Sequence, residues 1–482
     1  MSETLGSAIE RLREGLPGGV FVSPEDRRSY AFDAGGTEAL PDVAVVPRDV
    51  REVAFVVRVA RETGLPLVPR GAGTGLCGAA VPVRGGIVVS FARMNRVLAL
   101  DVPNRRARVQ PGLVNIDLSA HVAPHGLFFA PDPSSQRIST LGGNVATNAG
   151  GPHSLAYGTT AAHVLGLEYV DADGEVRRHA QDDPGYDLTG VLIGSEGTLG
   201  IVTAIDVRLV RLPAAVQVVV AAFGDVESAS ACVSATIGSG CVPTALEIMD
   251  RTIVRAVEAH YHAGYPTAAG AVLLVEFAGA AEDVAAGEAI VRAHARANGA
   301  LSWRAATSAG ERDALWASRK GAAGAVGRLA PTYYIQDATV PRTRLPEALA
   351  RIEAIARERR VLVGNVFHAG DGNLHPLMLF DRREPEQVRA VAEAGTEILR
   401  ACIDLGGTIS GEHGIGYEKR ETLPLVFSAS DLAAMGNVRD AWDPKRLFNP
   451  DKIFPSDASC GEVRTPPGGS DLAAATEAGA WT

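Results

Sequence analysis

Arg70-Gly71-Ala72-Gly73-Thr74-Gly75-Leu76-Cys77-Gly78 is the stretch on which the fold turns. It contains Gly-x-Gly-x-x-Gly at 73, 75 and 78, a spacing that in a doubly wound dinucleotide fold opens a helix whose N-terminus holds a pyrophosphate. No helix can follow here, because residues 79–86 include Pro82, Gly85 and Gly86. A Walker-type loop is also excluded, since no Gly-Lys-Ser/Thr is present. What remains is either a tight loop or a glycine-rich turn whose successive N–H groups form a concave anion site.

Upstream, residues 43–69 read as strand, helix, strand, with Asp49 and Glu52 opening the helix and Gly64 closing it. Downstream, strand-like runs at 86–90, 97–100, 107–110, 164–170 and 201–209 are joined by loops rich in Gly, Asn and Ser, with helices expected at 115–125 and 139–148. Two of these loops extend the chemistry of the first. Pro131-Asp132-Pro133-Ser134-Ser135 leads to Thr140-Leu141-Gly142-Gly143-Asn144 and Thr147-Asn148-Ala149-Gly150-Gly151, and Gly194-Ser195-Glu196-Gly197-Thr198-Leu199-Gly200-Ile201 precedes a strand. Together the three let backbone approach a large, flat, polar cofactor closely.

Pro213 marks a change of character. Strands at 216–220, 271–277 and 361–366 alternate with helical patterns at 226–237, 281–298, 344–359 and 384–405, which predicts an open sheet with helices on one face. The chain divides into residues 1–213, with an amphipathic N-terminal helix, a second domain at 214–439, a segment at 440–456 returning to the first domain, and a disordered tail at 457–482.

Within the second domain, Val366-Phe367-His368-Ala369-Gly370-Asp371-Gly372-Asn373-Leu374-His375 is answered by Ser410-Gly411-Glu412-His413-Gly414. A hairpin tip at 370–373 would set His368 directly opposite His375 on one face, roughly 5 Å apart at Cβ. Both imidazoles could then bind one divalent metal, zinc or manganese, with Glu412 completing the set and His413 left free as a base. Taken singly, each histidine is as well explained by a hydrogen-bonded structural role, and Gly-Asp-Gly-Asn by an ordinary turn.

The formal charge of −10 over 482 residues argues against a nucleic-acid or anionic-membrane surface. No run reaches the ~18 consecutive apolar residues that a membrane helix requires. Five cysteines, with no Cys-x-x-Cys among them, favour a reducing, cytoplasmic setting and leave no ligand set for an iron–sulfur cluster.

The loop at 69–78, the Pro-Asp-Pro-Ser-Ser and Gly-Gly-Asn-x-x-Thr-Asn-Ala-Gly-Gly stretches and Gly-Ser-Glu-Gly-Thr-Leu-Gly-Ile-Val-Thr resemble the FAD domain of the vanillyl-alcohol oxidase / p-cresol methylhydroxylase superfamily. His-x-Gly-Asp-Gly-Asn-Leu-His and Gly-Glu-His-Gly-Ile-Gly resemble the C-terminal domain of FAD-linked D-2-hydroxyacid dehydrogenases, and residues 333–342 resemble most the glycolate oxidase D-subunit group. The resemblance spans residues 41–455 and implies an α+β protein: a two-lobed PCMH-type FAD-binding domain followed by an α+β cap domain with an open antiparallel sheet and helices.

The resemblance also implies the chemistry. A 2-hydroxy acid would lose hydride from Cα to flavin N5 and its hydroxyl proton to His413, with the metal on His368, His375 and Glu412 lowering the hydroxyl pKa. Arg319 is expected to grip the carboxylate with Lys320 beside it, the lesser alternative being that the pair forms a solvated helix face. FAD would rest on Pro69, Arg70, Gly71, Ala72, Gly73, Thr74, Gly75, Leu76, Cys77 and Gly78; on Pro131, Asp132, Ser134, Ser135, Thr140, Gly142, Gly143, Asn144, Thr147, Asn148, Gly150 and Gly151; and on Glu196, Gly197, Gly200, Ile201 and Asn449. With Cys77 facing the pyrophosphate, the FAD is expected to be non-covalent. Electrons would pass to flavin or iron–sulfur partner subunits or another acceptor, and a homodimer is possible. The alternatives are a stand-alone D-lactate or D-2-hydroxyglutarate dehydrogenase, a metal-dependent hydrolase and a non-catalytic flavin-binding subunit.

Overall fold

The computed structural model describes residues 3–456. The tail expected at 457–482 lies outside them, as does Cys460.

The helix expected after residue 49 spans Val50–Thr63: Asp49 accepts from the N–H groups of Arg51 and Glu52, and Gly64 ends it in the left-handed conformation. Its Val53, Val56, Val57 and Ala60 are fully buried with Ala8 and Leu12 of the N-terminal helix Glu3–Gly15. Each such valine contributes about 1.5–3 kcal/mol. The flanking strands, Val43–Val45 and Leu67–Arg70, are not neighbours; Ile87–Ser90 runs parallel between them, and Val20–Phe21 completes a four-stranded sheet. A second, wholly antiparallel sheet has the order Val97–Asp101, Arg106–Val109, Ile201–Arg208, Val164–Val170 and Val176–Ala180. These two sheets form the lobes of the N-terminal half.

The C-terminal half is an eight-stranded antiparallel sheet whose centre runs Ala215–Phe223, Ala271–Gly279, Ala245–Asp250, Leu362–His368, Asn373–Phe380. One face is covered by Val226–Gly238, Ala281–Ala297, Leu345–Arg359 and Pro385–Asp404. The expectation that helices lie on one face alone is corrected, because Arg251–Tyr261 and Ala309–Lys320 pack on the other. That second face carries Val366 and Leu377 toward the N-terminal half.

One central strand was not expected from the sequence, and its neighbour was expected only as the second arm of the hairpin that carries His375. Ala245–Asp250 is entirely buried despite containing Glu247 and Asp250, and buried acids read as loop when their partners are unknown. Asn373–Phe380 contains Pro376, which removes a ladder donor; Asn365, opposite it, turns its own N–H to Asp250 Oδ2 at 2.6 Å.

The segment after helix Ala429–Trp442 runs back along the first sheet. Phe448 forms a parallel bridge with Leu67, and Asn449 N–H donates to Leu67 O at 2.7 Å.

Candidate active site

The turn between Leu362–His368 and Asn373–Phe380 closes early, with Gly372 N–H donating to His368 O at 3.1 Å. Gly372 has φ +82°, and a Cβ there would run into Val340 O, so only glycine closes this turn without strain. His368 therefore pairs with Asn373, and His375 with Val366, instead of the two histidines facing each other. A shift of two residues preserves the face, since side chains alternate with period two. The rings accordingly still meet edge to face, centroids 5.0 Å apart.

The 410–414 loop brings Glu412 to them. Its Oε1 is 3.2 Å from His368 Nε2, 3.2 Å from His375 Nε2 and 3.9 Å from His413 Nε2. Asp337 fixes that loop, accepting from Ser410 Oγ and from the N–H groups of Gly411, Glu412 and His413 at 2.8–3.3 Å. Two sets of donors could hold a cation: His368, His375 and Glu412, or Asp337, His375 and His413. The second is disfavoured because the Asp337 oxygens already receive these four donors, with Lys419 Nζ 3.5 Å away. The first fits. A tetrahedral ion with bonds of about 2.0–2.2 Å spaces its ligands by roughly 3.3–3.6 Å, close to the separations of Glu412 from the two histidines.

Burial disfavours charge on every member of this group, yet Glu412, beside His368 and His375, is held well below the usual carboxylate range. His368, between Glu247 and Glu412, is held well above the usual imidazole value. His413 stacks on His375 at 5.0 Å and 12°. Its pKa is not the ordinary 6.5 expected for an exposed base: burial pushes it down to about 4, leaving the ring neutral at pH 7.

A cleft of about 410 Å³ joins this group to the glycine loops. Its wall contains Pro69, Arg70, Gly71, Ala72, Gly73, Thr74, Gly75 and Leu76; Ser134, Ser135, Thr140, Gly142, Gly143, Asn144, Thr147 and Gly150; and Glu196, Gly197 and Gly200. Arg319, Lys320, His375, Glu412 and His413 close the other end. At Gly143 an added Cβ would meet only Thr140 Oγ1, at 3.4 Å, and otherwise project into open space. At that point a side chain would fill the cleft, and the bare backbone there suits close approach of a large planar group.

Several expected contacts stand off the cleft: Cys77, Gly78, Pro131, Asn148, Gly151, Ile201 and Asn449 do not line it, and His368 lies behind His375 and Glu412. Cys77 is buried and does not line the cleft, and its carbonyl accepts the N–H of Tyr417, so its thiol is not placed against a group bound there. Asn449 Nδ2 ties Ala79 O to Glu196 O from behind. Asp132 lines a neighbouring cavity, where it holds Lys320 Nζ at 2.7 Å and His153 Nδ1 at 2.7 Å. Lys320 is therefore committed to Asp132 and does not stand free as a carboxylate ligand. Arg319 is buried against Glu247, while its Nε has no acceptor among the described residues.

A model of the FAD linked oxidases, C-terminal domain, matches residues 212–453, and one of an FAD binding domain matches 41–180. The chain belongs to the FAD-linked oxidase family. It is 41% identical over 462 residues to glycolate oxidase subunit GlcD of Escherichia coli (strain K12), covering 95% of this chain and 92% of that one. The D-lactate dehydrogenase of Anaerostipes hadrus is 32% identical, with 92% and 96% covered. Among solved structures, p-cresol methylhydroxylase with substrate bound superposes with a TM-score of 0.79 at 16% identity over 94% of this chain and 97% of that one, a likeness of fold. The protein is thus an FAD-linked oxidoreductase, which sets aside the hydrolase reading. Among the described residues, no helix is long and apolar enough to cross a membrane.

The sequence reading missed Glu247, Asp337 and His153. Asp337 sat within the quoted 333–342 stretch, but nothing local marks it as the acceptor for a loop more than seventy residues on.

Proposed function

We propose that the protein oxidises a 2-hydroxy acid of the glycolate or D-lactate type to the 2-oxo acid. The observation that carries this reading is the meeting, in one cleft, of a glycine-built cradle with His375, Glu412, His413 and Arg319. Bound, non-covalent FAD supplies a two-electron acceptor, and a divalent ion, zinc or manganese, held by His368, His375 and Glu412, supplies a Lewis acid. Arg319 holds the substrate carboxylate, its guanidinium keeping donors beyond those given to Glu247. His413, neutral at pH 7, accepts the hydroxyl proton at Nε2, the ring nitrogen nearest Glu412. Lys320 positions the helix end that carries Arg319 through its bond to Asp132. Val366, Leu377 and Ile335 bring apolar surface to the same end of the cleft, limiting water around the reacting carbon. The similarity to a subunit of glycolate oxidase supports transfer of the electrons to partner subunits, and the D-lactate dehydrogenase relative supports the alternative of a stand-alone dehydrogenase.

Anaerobic mixing of the FAD-loaded protein with glycolate, D-lactate, L-lactate and D-2-hydroxyglutarate tests the reading. One or more should bleach the flavin, and bleaching should be lost after chelation and restored by zinc or manganese. A flavin that stays oxidised with every acid, in protein shown to be metal-loaded, would reject it.

A further inference from the structure

Behind the proposed metal ligands lies a carboxylate that folding alone does not require. Glu247 sits in the middle of the buried strand Ala245–Asp250, directly across from His368 in the antiparallel pairing. Its side chain is 0% exposed. Oε1 meets His368 Nδ1 at 2.7 Å, and the other oxygen forms an ion pair with Arg319, itself only 4% exposed. His368 Nε2 then faces Glu412. Arg319, Glu247 and His368 thus form a continuous buried line that ends at the part-buried Glu412 beside the cleft.

Such a line is costly as a packing device, because two apolar side chains would fill the same volume without desolvating two charges. It is well suited to holding a ligand. Accepting the Nδ1 proton fixes the imidazole as the tautomer whose Nε2 lone pair is free, sets the ring plane and increases the basicity of Nε2. Glu247 cannot serve as a direct ligand to the same ion, since the whole imidazole ring stands between it and Nε2. Resting on the metal reading above, we propose that Glu247 is the positioning residue of the metal site: it orients His368 from behind, and Arg319 balances its charge.

The test uses the full chain loaded with FAD, stripped with a chelator and titrated with Zn2+ against a competing chelator. His375→Ala marks background binding. Glu247→Gln should weaken Zn2+ affinity by about 10–100-fold, with FAD content and visible flavin spectrum unchanged, a split that a purely structural role would not produce. Because the single variant strands Arg319, the double variant Glu247→Leu/Arg319→Met, which replaces the pair by apolar groups, is measured as well. It should fold, bind FAD and show the same loss. Wild-type Zn2+ affinity in either folded variant would overturn the assignment while leaving the metal site standing. Wild-type protein binding Zn2+ no better than His375→Ala would instead overturn the metal reading, and this inference with it.

Discussion

The glycine wall and the histidine wall of the cleft are built from opposite materials. Gly71, Gly73, Gly75, Gly143 and Gly197 present backbone, Gly75 and Gly143 beside open space and Gly71, Gly73 and Gly197 packed close against Thr140, Arg70 and Pro69, so that wall recognises mainly by shape. The opposite wall concentrates Glu412, His375, His413 and Arg319 in a buried volume, with Glu247, His368 and Asp337 behind them. There each charge is tolerated only because another lies beside it. In the function proposed above the first wall would hold the cofactor and the second would act on a small acid, so changes on the two sides should fail in different ways.

The largest effect is expected at His413. His413→Ala should slow anaerobic flavin reduction by about 10²–10⁴-fold while FAD and metal stay bound; normal reduction would place the base elsewhere. Next comes Asp337→Asn. An amide cannot accept from all four donors of the 410–414 loop, and stranding them should cost about 1–3 kcal/mol, read as a lower thermal midpoint in the FAD-loaded protein. An unchanged midpoint would show that the loop is held by other contacts.

On the glycine wall, Gly197 has φ +71° and a Cβ would run into Pro69. Gly197→Ala should cost about 1–2 kcal/mol of stability and push Pro69 out of the cleft wall, read as a lower thermal midpoint and weaker FAD binding, without changing flavin reduction once FAD saturates. A lower saturated rate would mean that the glycine wall also places the reacting centre, and the contrast between the walls would blur.

The smallest and most gradual effect concerns the latch formed beside the cleft by His153, which joins Asp132 of the N-terminal half at 2.7 Å to Glu276 of the C-terminal sheet at 3.0 Å. Burial opposes protonation of His153, but Asp132 and Glu276 outweigh it and hold its pKa up at about 10. A raised folded value means that the stabilisation is complete below the ordinary 6.5 and is lost as pH climbs through about 10. The holoprotein should therefore lose thermal stability between those values, and His153→Gln should flatten the decline. An equal decline in that variant would remove His153 from the latch.

How much was legible follows the same division. The helix at 50–63 was readable because its cap, its periodicity and its closing glycine are all local. The glycine loops were readable because glycine density is itself the signal. The meeting of His368 and His375 was expected from spacing with a register two residues off, and the two side chains still meet because a two-residue slip keeps the face. Strand Ala245–Asp250 was not legible, since Glu247 and Asp250 violate strand preference and are satisfied only by His368 and Asn365, far away in sequence.

By itself, the sequence determined that the glycine-rich loop does not open a Rossmann helix, that the chain is α+β, and that His368, His375 and Glu412 are candidates for a single site. Only the tertiary structure decided what stands behind them: Glu247 across the strand from His368, Arg319 held by Glu247, Lys320 spent on Asp132, and Asp337 gathering the 410–414 loop. The reason is physical. A turn or a cap is satisfied within a few residues, whereas a buried charge is satisfied by whatever the fold brings alongside it.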